Sequence, residues 1–159
     1  MITIERTTDY AMIRRIVTHP RIYPWITDDG SPAPDEWEPV RGDTVWYLLV
    51  KSEGQPAGVF TFVPQNTVCY EMHTCLMPTL WGQDHGSILA GMMAVQWMFE
   101  NSPAQRIVGN AADYNRLALK YGRKIGLKEF GLNPRSFLHE GVLYDQHLLG
   151  ISKGDDICR

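Results

Sequence analysis

The sequence predicts an α/β protein of the α+β kind, a mixed central sheet of about six to seven strands flanked by about four helices. Three observations predict it. Short runs rich in β-branched and aromatic residues, bounded by turn residues, recur along the chain. In the second half the order is strand, helix, strand, helix, which requires a crossover and at least one parallel pairing. The 159 residues are 44% hydrophobic and 21% charged, an ordinary globular balance with material for one sizeable core. One domain over residues 1–152 is expected, with a polar tail over 153–159.

Taken in order, MITIERT alternates Ile2 and Ile4 with polar residues and reads as a first strand. Thr8 or Asp9 can cap a helix carrying Tyr10, Ile13, Ile16 and Val17, which fades near His19-Pro20. From Pro20 to Pro39 prolines, acids and aromatics crowd together, so neither a long helix nor a central strand fits. A short helix around Pro34 to Trp37 is expected there. Thr44 to Lys51 and Gly58 to Val63 are hairpin strands around SEGQPA, and a third strand, Val68 to Leu76, continues the meander.

Gly86 to Glu100 has apolar residues on more than one stripe, as in a helix buried against a sheet. Arg106 to Asn110 is a short strand. Asp113 or Asn115 then caps a helix that stops at Gly126. Ser136 to Val142 and Leu143 to Ile151 complete the strands, and the order is βα(α)βββαβαββ.

Charge and composition exclude several classes. A net charge of -3 leaves no electrostatic footprint for a nucleic-acid backbone. The start of the chain lacks the pattern of a signal peptide, and no apolar run is long enough to cross a bilayer, so a cytosolic protein without membrane contact is expected. Cys69, Cys75 and Cys158 suggest no disulfide framework and are read as reduced thiols. Cys69, His73 and Cys75 cannot share a metal, because one extended strand spreads them over roughly 20 Å.

The chain is organised around Cys69 to Glu100, where a strand, a proline-bearing turn with two glycines and a buried helix follow one another. Such a turn aims free backbone N–H groups and the positive end of a helix dipole at one spot, which suits a phosphate. The segment Leu76-Met77-Pro78-Thr79-Leu80-Trp81-Gly82-Gln83-Asp84-His85-Gly86-Ser87-Ile88-Leu89 resembles the strand, proline and R-G-x-G-x-G loop of the GCN5-related N-acetyltransferases (GNAT). A second segment, Asn115 to Leu127, is similar to that family's N-x-x-A-x-x-x-Y-x-x-x-G-F helix. With strand order included, the resemblance covers nearly the whole chain.

The departures are specific. Gly82 and Gly86 fall on family glycines, but Trp81 stands where arginine is usual and Asp84 where the middle glycine is. A second register would lead with Gln83 and put Ile88 at the final small position. The first is preferred because it keeps both glycines together with the helix start. Gly122 occupies the position of the family's acid tyrosine. Tyr121, one residue earlier, is rotated by about 100° and is expected in the core rather than at the reacting thiol.

The resemblance implies an acetyl-coenzyme A dependent N-acetyltransferase acting by direct transfer to a primary amine. Its coenzyme would be held by Thr74, Cys75, Leu76, Gly82, Gln83, His85, Gly86, Ser87, Asn115 and Tyr121, with no metal. Strand alternation puts Cys69, Glu71, His73 and Cys75 on one face, so Glu71 and His73 are neighbours. They are candidate base machinery, the alternative being a hydrogen-bonded core histidine beside a solvated glutamate. Cys75 could carry an acyl group only with an activating partner, and none but His73 is evident.

The 20–40 segment would supply the acceptor side. Tyr23, Trp25 and Trp37, with Asp28, Asp29, Asp35, Glu36 and Glu38, could attract and stack on a cationic acceptor, a small-molecule amine or a protein amine. Solvated acidic loop residues are the alternative. A homodimer is compatible with the sequence. The rival to the enzyme is a GNAT-fold binding or assembly module that is catalytically weak, which Trp81, Asp84 and Gly122 together make credible.

Overall fold

The computed structural model describes residues 1–82 and 84–157. Gln83 and Cys158, named above, lie outside the described residues. Seven strands form one sheet in the order β1-β2-β3-β4-β5-β7-β6. They are β1 (Ile2–Arg6), β2 (Trp46–Ser52), β3 (Gln55–Pro64), β4 (Cys69–Leu76), β5 (Arg106–Ala112), β6 (Lys128–His139) and β7 (Val142–Ser152). The helices are α1 (Tyr10–Val17), α2 (Tyr23–Ile26), α3 (Asp84–Asn101) and α4 (Arg116–Lys124), with one 3-10 turn at Pro78–Leu80. The expected element order is the observed one.

Strands β1 to β4 are antiparallel neighbours; short turns join β2 to β3 and β3 to β4, while α1 and α2 lie between β1 and β2. Glu53 and Gly54 both take positive φ, as do Glu140 and Gly141, the geometry that matches strand twist in two-residue hairpins. The parallel pairing expected from the crossover is β4 with β5, and it is short. It covers Cys69↔Arg106, Tyr70↔Ile107 and Glu71↔Val108. Beyond Glu71 the two strands part, while β4 runs on to Leu76 and β5 to Ala112.

Both faces of the sheet are covered. On one, α1 and α2 bring Ile13, Ile16 and Tyr23 against Tyr47, Leu49, Val59 and Cys75. On the other, α3 and α4 bring Ala94, Met98, Leu119 and Ile125 against Leu48, Phe60, Phe62, Met72 and Ile107. Alternate residues of Trp46–Val50 therefore serve opposite layers, which is why that run is apolar throughout rather than alternating. Each large aliphatic or aromatic side chain buried in this way contributes about 1.5–3 kcal/mol.

Two expectations are corrected. The short helix of the 20–40 segment is α2 at Tyr23–Ile26, where Pro24 sits in the first turn and its missing N–H costs no helical bond. Residues 34–36 form only a turn closed by the N–H groups of Glu36 and Trp37 on the carbonyl of Ala33. The strand expected from Ser136 begins at Lys128, and the hairpin turn is at Glu140-Gly141 rather than between Val142 and Leu143. β6 is an edge strand with an irregularity between Asn133 and Phe137 and Arg135 at φ 52°, which accommodates Pro134.

Candidate functional site

The place where β4 and β5 part is bordered on the α1 side of the sheet by a polar row that no helix covers. Glu71 is half-buried, and His73 leaves half its side chain exposed, with Nε2 3.4 Å from Glu71 Oε1. Asn110 of β5 donates through Nδ2 to Glu71 Oε1 at 3.0 Å, and Gln65 donates to Glu71 Oε2 at 3.4 Å. Gln146 of β7 in turn donates to Asn110 Oδ1 at 2.9 Å. Three side chains thus converge on one carboxylate, with Gln146 behind Asn110, and the expected Glu71–His73 adjacency is present. His73 is a surface histidine, not a core one.

Cys75 lies on the same face but under α1, 2% exposed, and burial pushes its thiol up to about 12. It stays protonated and is no nucleophile. Leu76 and Thr74 point to the opposite face, Leu76 buried and Thr74 half-buried.

The turn after β4 is tied down at each step. Met77 N–H donates to the Ala57 carbonyl at 2.8 Å, Leu80 is buried, and the Trp81 indole N–H donates to the Leu76 carbonyl at 2.9 Å. Trp81 therefore braces the loop from the position where arginine was expected. The Arg21 guanidinium lies 4.7 Å over the Trp81 ring, so a cation reaches this loop from the segment between α1 and α2. Gly82 adopts φ 72°, which a side chain would oppose, and α3 begins two residues later. His85 is exposed at its start, and Gly86 and Ser87 are half-buried.

Asn115 caps α4, its Oδ1 accepting from Ala118 N–H at 3.2 Å. Tyr121 packs into the α3 side of the core, donating its hydroxyl to the Ser87 carbonyl at 2.9 Å, and burial raises its pKa. Gly91 makes this fit: a Cβ there would lie 2.4 Å from the Tyr121 oxygen. Gly122 is buried and faces Leu149 of β7. Position 122 of α4 thus carries no hydroxyl, and that of Tyr121 is spent on the Ser87 carbonyl.

Of the acceptor residues expected from sequence, Tyr23 is buried and donates to the Pro32 carbonyl at 2.6 Å. Trp37 packs against the α1 core, and Trp25 is 53% exposed. The 27–39 segment forms a strap whose far contact sequence reasoning missed. Asp29 accepts from the backbone N–H groups of Glu140 at 2.7 Å and Gly141 at 2.8 Å, and its own N–H donates to the Leu138 carbonyl at 3.0 Å. The Gly141 and Glu140 amides hold its carboxyl below the usual range.

Beside that latch, Tyr114 stacks on His139 with centroids 4.8 Å apart and meets Tyr144 edge-on at 4.6 Å. Burial first, then the charges of Glu140 and Asp29 among its neighbours, raise the Tyr114 pKa. Asn110 was legible as the one uncharged polar side chain of the strand RIVGNAA. Gln146 and Tyr114 carried no comparable signal, and Asp29 stood out only as one acid of the 20–40 segment, not as a latch.

No protein-family model and no curated protein matches this sequence. Solved structures do. A spermidine N-acetyltransferase from Vibrio cholerae, in complex with CoA and spermine, is 16% identical over 96% of this chain and 95% of its own, with a TM-score of 0.79. An acetyltransferase of the GNAT family from Streptococcus pneumoniae is 16% identical over 97% and 100%, TM-score 0.72. A ribosomal-protein-S5-alanine acetyltransferase from Vibrio fischeri is 15% identical over 97% and 93%, TM-score 0.68. With its seven-stranded mixed sheet, its β4–β5 parting and its helices on both faces, this chain has the fold of the GNAT acyl-coenzyme A N-acyltransferases.

Proposed function

We propose that the protein is an acetyl-coenzyme A dependent N-acetyltransferase that passes the acetyl group directly to a primary amine. The observation that carries this reading is the parting of β4 and β5 immediately after Glu71, beside the carboxylate on which Asn110, Gln65 and His73 converge. The residues present fit the coenzyme. Gly82 has the left-handed backbone a tight phosphate loop needs, α3 starts just after it, and Arg21 brings a guanidinium to the loop that lacks its own arginine.

Acetyl-coenzyme A would supply an activated thioester. Backbone N–H groups of β4 between Thr74 and Leu76, on the edge freed from β5, would meet the acetyl carbonyl oxygen as negative charge develops there. Gly82, His85, Gly86 and Ser87 would line the pyrophosphate end and Asn115 the thiol end. Glu71 would take the proton from the incoming ammonium, directly or through His73, leaving a neutral amine to form the C–N bond as the C–S bond breaks, with the second amine proton passing to the departing coenzyme A thiolate to give the free thiol and the amide. Tyr121, tied to Ser87, would act by fixing the start of α3 against α4 rather than by moving a proton.

The acceptor would enter under the 27–39 strap, whose latch lies beside the Tyr114 and Tyr144 rings with the Asp29 and Glu140 carboxylates near them. Aromatic faces and carboxylates favour a cationic amine. The neighbours' names span both acceptor classes, spermidine and a ribosomal protein's alanine. The test is thiol release from acetyl-coenzyme A with a polyamine, a peptide with a free N-terminus and a lysine peptide. Release that depends on one of these amines supports the reading. No amine-dependent release from any of them overturns the transferase reading in favour of a binding module.

A further inference from the structure

On the outer side of α1, against the segment that leads into β2, lies a cleft of about 360 Å³ lined by Tyr10, Arg14, Arg15, Thr18, Glu38 and Arg41. Of these residues only Glu38, at the end of the 27–39 strap, lies in a segment of the candidate active site, and it faces α1 here. Three guanidinium groups face one carboxylate. Arg14 is half-buried and engaged by the protein: its Nε donates to the Trp37 carbonyl at 2.9 Å and lies 3.4 Å from Glu38, so the one acid of the cleft already has its cation.

Arg15 and Arg41 remain. Both are exposed, and among the described residues neither forms an ion pair with a carboxylate, Arg15 donating to Met12 Sδ at 3.1 Å instead. Arg41 is held over the Tyr10 ring at 4.8 Å, and the Gly42 N–H donates to the Tyr10 hydroxyl at 3.1 Å. That bond fixes the loop to α1 and leaves the phenolic proton free to donate onward.

The cleft thus presents two uncompensated guanidinium groups and a preset O–H donor in a concavity. Like charges confined together are unfavourable unless an anion joins them. Arginine forks match the oxygens of a tetrahedral dianion, and the volume sits at the small end of ligand sites, which begin at about 300 Å³.

We propose that this cleft binds the dianionic phosphate group of a small phosphorylated molecule, held by Arg15, Arg41 and Tyr10, at a second site separate from the coenzyme loop. The proposal does not depend on the acetyltransferase reading. Free phosphate and a phosphate monoester share this chemistry, and the assay separates them.

The test is a titration of the full chain with inorganic phosphate and with glycerol phosphate, at low salt and with chloride of equal ionic strength as control, followed by calorimetry and by the Gly42 amide signal in NMR. Saturable one-to-one binding by either phosphate, a moving Gly42 signal and at least a tenfold loss of affinity in R15Q/R41Q are expected. R21A, altered only at the coenzyme loop, keeps the binding, and E38Q, which frees Arg14, strengthens it. Tighter binding of glycerol phosphate than of phosphate identifies the ester as the ligand form, and the reverse identifies the free ion. Binding that survives R15Q/R41Q, or a Gly42 signal in the unaltered protein that phosphate moves no more than chloride does, overturns the proposal.

Discussion

Glu71 shows how much of a site a single strand can reveal. Alternation along Cys69–Leu76 placed Glu71 and His73 on one face, and their side chains are 3.4 Å apart. Asn110, which donates to the same carboxylate, and Gln146, which donates to Asn110, come from β5 and β7, and no local pattern announces which residues a parallel crossover will set side by side. A carboxylate with such partners is placed rather than free, so Glu71→Gln is expected to lower kcat/KM for thiol release about 10²–10⁴-fold, the usual worth of a positioned base. His73→Ala should lower it less, since His73 is half exposed. Equal rates in both variants and the parent would remove the pair from the mechanism.

A second polar cluster lies on the α4 side, where His147 bridges Glu129 Oε1 at 2.5 Å and Asp113 Oδ1 at 2.8 Å, while Arg123 also reaches Glu129. Glu129 first, then Asp113, raises the His147 pKa above its ordinary value, and His147 first, then Arg123, lowers that of Glu129. A raised folded-state pKa means that this stabilisation is complete below the unfolded histidine value, about 6.5, and is lost as pH rises through the folded value. For Glu129 the sign is opposite, with stability lost only as pH falls through its depressed value. An NMR titration should find the His147 midpoint above 6.5 in the native protein and lower in E129Q.

At the scale of elements, the turn after β4 and the seam between α3 and α4 work as one unit. The glycine pattern was legible, but the reason for Trp81 was not: its indole closes the loop on the Leu76 carbonyl, a contact that only the folded turn creates. Gly91 was equally silent in sequence. Its hydrogen is the only group that fits under the Tyr121 hydroxyl, so Gly91→Ala should cost about 1–3 kcal/mol by overpacking, read by denaturant unfolding. In a Tyr121→Phe background, part of that cost should vanish, because the oxygen at 2.4 Å is gone. Additive costs would show that Tyr121 and Gly91 do not press on each other.

The strap is a second unit, closed at Asp29 more than a hundred residues away in sequence from its hairpin partners. Acid and proline content marked the segment as irregular without showing its far anchor. Asp29→Ala should speed amide exchange at Glu140 and Gly141 while leaving the α3 amides protected. Because the Asp29 carboxyl is held below its ordinary value, the latch should be intact above about pH 4 and loosen as pH falls through its folded value.

For the whole molecule, element order was the most legible property, since turn chemistry and apolar periodicity act locally and the strand, helix, strand, helix alternation permits few topologies. Strand order at the far edge was less so: β6 pairs beyond β7, and its irregular, proline-bearing course hid half of its length. The sheet buries both faces, and its one parallel pair is cut short where a ligand edge would be useful. A parted strand pair, a glycine turn before α3 and an arginine brought in from outside the loop meet at one place, the proposed seat of the coenzyme.

Calorimetric titration with acetyl-coenzyme A tests it most directly. Saturable one-to-one binding is expected, with a melting temperature that rises with ligand, about 2.7 kcal/mol of added stability at a hundredfold excess over Kd, and with weaker affinity in Arg21→Ala. No heat and no shift at millimolar acetyl-coenzyme A would contradict it.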